Sequence, residues 1–189
     1  SVQRFSPFNP TVPYTTATIG GSGYMPVGVN RIQSSTSNYT FSGDFTVEMW
    51  LYPTALTPDA NFFSYRNGDS YPSNFGILWA AQNDYINFQF IRAGSGSWNI
   101  DASSVLYLNR WTHLAVSRSG SSVKMFANGV QVSSTTQSSD VNLASAYYEI
   151  GARVSEARFG GYISDVRINN TALYTTTDRK STRLNSSHT

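Results

Sequence analysis

Residues 109–132 read NRWTHLAVSRSGSSVKMFANGVQV. Three short runs follow one another here, WTHLAVSR (111–118), SVKMFA (122–127) and VQVSST (130–135). Their apolar residues recur with the period of two that a half-buried strand requires. Between the second and third runs sits Asn128-Gly129. Both residues readily take the positive φ angles of a two-residue type I′ turn, so these runs are expected to pair as an antiparallel hairpin.

The pattern continues in both directions. FTVEMWLYP (45–53), NFFSYR (61–66), FGILWA (75–80), YINFQFI (85–91), YYEIGAR (147–153) and GYISDVRI (161–168) read as further strands, with weaker ones near 23–33 and 97–102. Gly, Asn, Ser and Pro punctuate the runs, and no segment carries a helical period. That is the signature of an all-β antiparallel sandwich. Pro53, Pro58 and Pro72 fall at strand ends or in loops, where a missing N–H costs no ladder bond. On the strand at 45–52, Phe45, Val47, Met49 and Leu51 share one face and Thr46, Glu48, Trp50 and Tyr52 the other. Both faces are bulky, which suits a central strand covered on both sides. Trp50 and Trp111 are expected to be largely buried.

The chain has 189 residues, enough for one domain with a real core and few for two. Only 13% of residues are charged and 14% are aromatic, so hydroxyls and amides do most of the solvating. The formal net charge of +2 comes from scattered Lys and Arg without a basic run, which argues against nucleic acid as a partner. With no cysteine, disulfides and thiolate chemistry are excluded. No apolar run approaches the roughly 20 residues of a membrane span, and no signal-peptide pattern opens the chain. The first residue is Ser1, so the chain is expected to be a processed product or part of a longer polypeptide. Residues 1–19, punctuated by proline (SPFNPTVPY), read as an extended arm along an edge. Residues 20–178 hold the sandwich, and RKSTRLNSSHT (179–189) reads as a disordered or non-native tail.

Four stretches together, GGSGY (20–24), SGDFTVEMWLYPT (42–54), residues 109–132 and GGYISDVRINNTALYT (160–175), resemble the laminin G-like domains of the concanavalin A-like lectin/glucanase superfamily. The versions appended to phage and environmental bacterial structural proteins are the most similar. The resemblance covers about Gly20 to Thr175 and implies a jelly-roll sandwich of two curved antiparallel sheets, usually a non-catalytic module that binds glycans or proteins through rim loops. FGGYISDVRI (159–168) then corresponds to the closing inner strand. Strict alternation sends Tyr162, Ser164, Val166 and Ile168 to the core and Ile163, Asp165 and Arg167 to the other face. Where relatives carry an acid, this chain has Ser164, and carboxylates are also missing from Met25 to Ile32. Calcium prefers six to eight oxygen ligands with some charge, so no cofactor is expected, apart from a weak calcium ion held by Asp44 or Asp165 with backbone carbonyls.

Three loops mix aromatic rings with amides and charges: NGDSYPSN (67–74), GSGSWN (94–99) and SEARFGG (155–161). A sugar stacks its C–H face on a flat ring while polar groups take its hydroxyls. Asn67, Asp69, Tyr71, Trp98, Arg153 and Arg158 are therefore the candidate carbohydrate-binding residues, Trp98 foremost as a ring exposed on a mobile loop. The enzymatic alternative is a glycoside hydrolase or lyase using Glu48 and Glu149 as paired carboxylates, although the E-x-D-x-x-E arrangement is absent. His113 and Ser117 stand two pleats apart without an orienting acid, so a nucleophilic triad is not expected. The leading expectation is a non-enzymatic module, alone or as a homo-oligomer or part of a larger assembly, that recognises a glycan or a neighbouring subunit on a virion or extracellular surface. A purely structural decoration protein is the remaining alternative.

Overall fold

The β-branched and aromatic runs of the sequence form strands because a pleated surface lets them pack on both sides without losing backbone bonds. The computed structural model describes residues 5–6, 9–13, 22–26, 31–34, 41–70, 75–81, 85–92, 96–141, 143–152 and 158–175. In chain order the strands are β1 (Phe5–Ser6), β2 (Asn9–Pro13), β3 (Ser22–Met25), β4 (Ile32–Gln33), β5 (Phe45–Ala55), β6 (Asn61–Arg66) and β7 (Phe75–Ala81). They continue with β8 (Tyr85–Arg92), β9 (Gly96–Ser103), β10 (Thr112–Ser119), β11 (Ser122–Ala127), β12 (Val130–Thr136), β13 (Tyr147–Ile150) and β14 (Gly160–Asn169). No helix occurs among the described residues. The candidates Tyr71 and Arg153 and the tail 179–189 lie outside them.

Two six-stranded antiparallel sheets make the sandwich. Sheet I has the order β12-β11-β10-β5-β14-β3 and sheet II the order β4-β13-β6-β7-β8-β9. Among the described residues, strands β1 and β2 pair with each other as a small two-stranded ribbon. The weak strand expected over 23–33 divides at Pro26, which cannot donate a ladder bond. Its two pieces, β3 and β4, join different sheets. Asn128 and Gly129 have φ of 51° and 82°, the two positive angles of the expected hairpin turn.

Between the sheets lie Phe45, Val47, Met49 and Leu51 of β5, Leu114 and Val116 of β10, and Phe63, Tyr65, Trp79, Phe88 and Phe90 of sheet II, all fully or almost fully buried. Phe41 sits among them, edge-on to Phe45 and Tyr65 at centroid distances of 5.1 and 5.0 Å. Trp50 and Trp111 are buried as expected, 8% and 9% exposed, yet neither belongs to this core. Both stand on the outer face of sheet I, beside the even-numbered positions of β5.

Strand β14 departs from simple alternation. Ser164 pairs with Trp50 and Arg167 with Glu48, so Asp165 and Val166 together oppose Met49. This is a β-bulge, and Asp165 takes φ of 51°, a left-handed angle that Asp tolerates better than branched residues. The bulge shifts the phase of the strand. Before it Ile163 faces the core and Tyr162 and Ser164 face outward; after it Val166 and Ile168 pack on the core and Arg167 faces outward. The expectation for Val166, Ile168 and Arg167 is therefore met, and that for Tyr162, Ile163 and Ser164 is reversed, because one extra residue interrupts the two-residue period. At the start of the strand, a Cβ on Gly161 would lie 2.2 Å from the Tyr52 carbonyl oxygen, so only glycine permits β14 to approach β5 there.

Candidate functional site

The outer face of sheet I carries the densest chemistry in the molecule. Towards one end of its strands, Glu48 of β5 lies under the segment that follows β14. Its Oε1 meets both Nε and Nη2 of Arg167, and its Oε2 accepts from the Tyr174 hydroxyl and lies 3.1 Å from His113 Nε2. Burial works to raise the carboxyl, but hydrogen bonds from His113 and Tyr174 and the positive charge of Arg167 outweigh it and hold Glu48 below the usual carboxylate range. Burial, reinforced by the Glu48 hydrogen bond, pushes Tyr174 up to about 12.

The covering segment, residues 170–175, is tied down strand by strand. Thr46 Oγ1 donates to the Thr171 carbonyl at 2.8 Å and accepts from Leu173 N at 2.9 Å. Ser117 Oγ accepts from Tyr174 N at 3.3 Å, and Lys124 Nζ donates to the Thr175 carbonyl at 2.7 Å. With both oxygens occupied and its pKa held down, Glu48 is poorly suited to donate a proton.

Towards the other end of the same face the side chains are rings. The register sets Tyr24 of β3 opposite Tyr162 of β14, and Tyr162 opposite Tyr52 of β5. Trp111, immediately before β10, completes the line. Successive ring centroids are 4.9, 5.9 and 5.5 Å apart. Tyr24 is 52% exposed, Tyr162 and Tyr52 are partly exposed, and Trp111 is 9% exposed, so the row opens towards the β3 edge. Behind it a second row, Ser164, Trp50 and His113, is buried, with the Trp50 and His113 rings 5.2 Å apart. Nδ1 of His113 and Nε1 of Trp111 are buried without a hydrogen-bond partner. No single stretch of sequence marks this row. It is assembled from four distant segments, and the only sequence signal was the bulky outer face of residues 46–52.

The two carboxylates of the enzymatic alternative do not face one another. Glu48 stands on the outer face of sheet I, whereas Glu149 pairs with Ser64 in sheet II, out of phase with the core residues Tyr65 and Tyr148. The sandwich separates them. Glu149 is fully buried, with Arg66 Nε at 2.6 Å, Ser64 Oγ at 3.4 Å and Arg31 Nη1 at 3.1 Å. Arg66 is tied further to Asp69, to the Gly68 carbonyl at 2.8 Å, and to the face of Tyr147 at 4.9 Å. Ser117, four residues beyond His113 on β10, hydrogen-bonds Thr46 at 3.1 Å.

Of the six candidate loop residues, the four that are described, Asn67, Asp69, Trp98 and Arg158, do not come together. Asn67 and Asp69 follow β6, Asn67 donating to the Ala144 carbonyl at 3.1 Å and Asp69 pairing with Arg66. Arg158 bridges Asn61, at the opposite end of β6. Trp98 is not on a loop: it lies in β9, opposite Phe90, partly buried against the core. Residues 96–103 continue the ladder of β8, and this pairing overrides the Gly/Ser-rich composition that suggested a loop. Of the residues considered for calcium, Asp44 accepts from Gly120 N at 2.7 Å and Asp165 occupies the bulge. Among the described residues no three His, Cys, Asp or Glu side chains come together as a metal site.

Fold and surface together define a two-sheet antiparallel sandwich of the lectin type. The chain belongs to the Laminin_G_3 family of the concanavalin A-like lectin/glucanases superfamily, whose profile matches residues 27–177. No curated protein matches it in sequence. Among solved structures it is similar to domain 4 of AbnA, a GH43 extracellular arabinanase from Geobacillus stearothermophilus, in complex with arabinotriose. The TM-score is 0.65 at 22% identity, covering 92% of this chain and 83% of that one. It is also similar to the CBM40 of the Ruminococcus gnavus IT-sialidase bound to α2,3-sialyllactose, with a TM-score of 0.58 at 12% identity over 76% of this chain and 94% of that one. The binding domain of botulinum neurotoxin serotype G gives 0.60 at 12% identity over 82% of this chain and 40% of that one. At these identities the likeness is one of fold.

Proposed function

We propose that this protein is a non-catalytic carbohydrate-recognition module that holds its ligand on the aromatic row of sheet I. The carrying observation is that Tyr24, Tyr162 and Tyr52 stand side by side, partly exposed, on the outer face of a sheet. A contiguous set of rings left partly in water is poorly explained by packing, whereas it suits the C–H faces of sugars. Solved structures of the same fold that hold arabinotriose and sialyllactose support the reading. On this reading the module works outside the cell, at a bacterial surface or on a phage particle, as one domain of a larger assembly. Docking on a neighbouring subunit without a glycan is the second reading, favoured by the ribbon of β1 and β2, which adds to neither sheet.

A glycan array probed with the wild-type chain and with Tyr24→Ala tests the proposal. The wild type is expected to retain specific glycans and the variant to lose them, with an unchanged melting temperature because Tyr24 is half exposed. Glycan capture that persists undiminished in Tyr24→Ala and in Tyr162→Ala would remove the aromatic row from the proposal.

A further inference from the structure

Resting on that reading, we infer that the aromatic row takes an uncharged, linear oligosaccharide of about three residues, laid across the strands and not along them. The direction follows from the register. Tyr24, Tyr162 and Tyr52 are Cα partners across β3, β14 and β5, so their rings line up in the hydrogen-bonding direction of the sheet. With strands about 4.8 Å apart, the four positions from Tyr24 to Trp111 span about 14 Å, the reach of about three linked sugar rings. The three centroid steps of 4.9, 5.9 and 5.5 Å between the four rings are each on the scale of one sugar unit.

Neutrality follows from the charges. Neither the row nor the buried row of Ser164, Trp50 and His113 contains Asp, Glu, Lys or Arg. The nearest ion pair, Glu48 with Arg167, is internally matched. A sugar carboxylate set on these rings would give up water without meeting a counter-charge from either row. Hydroxyls carry no charge to leave unmatched and lose less on leaving water for such a surface.

Titration calorimetry of the whole chain tests this with neutral arabinan, xylan and cellulose fragments from monosaccharide to pentasaccharide, and with oligogalacturonides of matched length as acidic counterparts. Affinity is expected to rise up to about the trisaccharide and then level off. Binding should be insensitive to salt, weaker for every oligogalacturonide, and reduced about tenfold or more in Tyr24→Ala and Tyr162→Ala. A preference for oligogalacturonides that salt weakens, or monosaccharides bound as tightly as trisaccharides, overturns the inference while leaving glycan recognition in place. No binding to any member of either series, or binding that both tyrosine substitutions leave intact, overturns the placement of the site together with this inference.

Discussion

Removing the carboxylate of Glu48 should cost far more than removing a surface acid. Glu48 is 4% exposed and serves three partners at once: Arg167, His113 and Tyr174. In Glu48→Ala the Arg167 side chain, 40% exposed, regains water and adds little to the penalty. The buried His113 Nε2 does not, and His113 would then have neither ring nitrogen satisfied. Breaking a buried charged network by deleting one partner costs about 3–5 kcal/mol. For a chain of this size each kcal/mol shifts the melting temperature by about 2–4 °C, so a fall of about 6–20 °C is expected. The pH dependence gives a second handle. The folded carboxyl titrates below its unfolded value of 4.5, so its contribution is fully present above that value and is lost as the pH falls through the lower folded one. The gap between wild type and Glu48→Ala, followed by calorimetry or urea unfolding, should be wide at neutral pH and narrow progressively below pH 4.5. A variant that melts within about 2 °C of wild type at neutral pH would show that the network is not satisfied as described.

Gly161→Ala should lose about 3 kcal/mol or more, because φ is +148° and the new Cβ meets the Tyr52 carbonyl oxygen; an unchanged urea midpoint would contradict the close approach of β14 to β5. At the bulge, Asp165→Val should be less stable than Asp165→Gly by about 1–2 kcal/mol, and equal stabilities of the two variants would contradict the left-handed conformation there. Trp98→Ala should destabilise by about 2 kcal/mol through lost packing on the core. A variant that keeps full stability and instead loses glycan binding would return Trp98 to the binding surface.

Period-two alternation found nearly every strand of the two sheets, and Asn128-Gly129 fixed one hairpin, because those features are written in neighbouring residues. Alternation does not reveal a bulge. Asp165 resembles any polar residue in a strand, yet it reverses the facing of Tyr162 and thereby places that ring in the aromatic row. Sheet membership is likewise invisible locally: Glu48 and Glu149 both read as strand acids, and only the order of strands shows that the sandwich stands between them. The loop candidates were chosen for composition, which correctly favours turns for Asn67 and Asp69. For Trp98 the ladder with β8 prevailed over the neighbouring glycine and serines. The row itself required the register of strands far apart in sequence, information that no window of sequence contains.

Strand β14 lies between β5 and β3 in the middle region of sheet I, although it is formed near the end of the described chain. Glu48 and Arg167 are 119 residues apart, so β5 must wait for nearly the whole domain to emerge before its second neighbour arrives. Contacts of such long range make for slow folding, since the loop between the partners must close before any of them is gained. During synthesis β5 and β3 would each show an unpaired edge, and a chain truncated before β14 would keep both edges permanently. Such a fragment should self-associate by strand pairing instead of remaining a soluble, partly folded monomer.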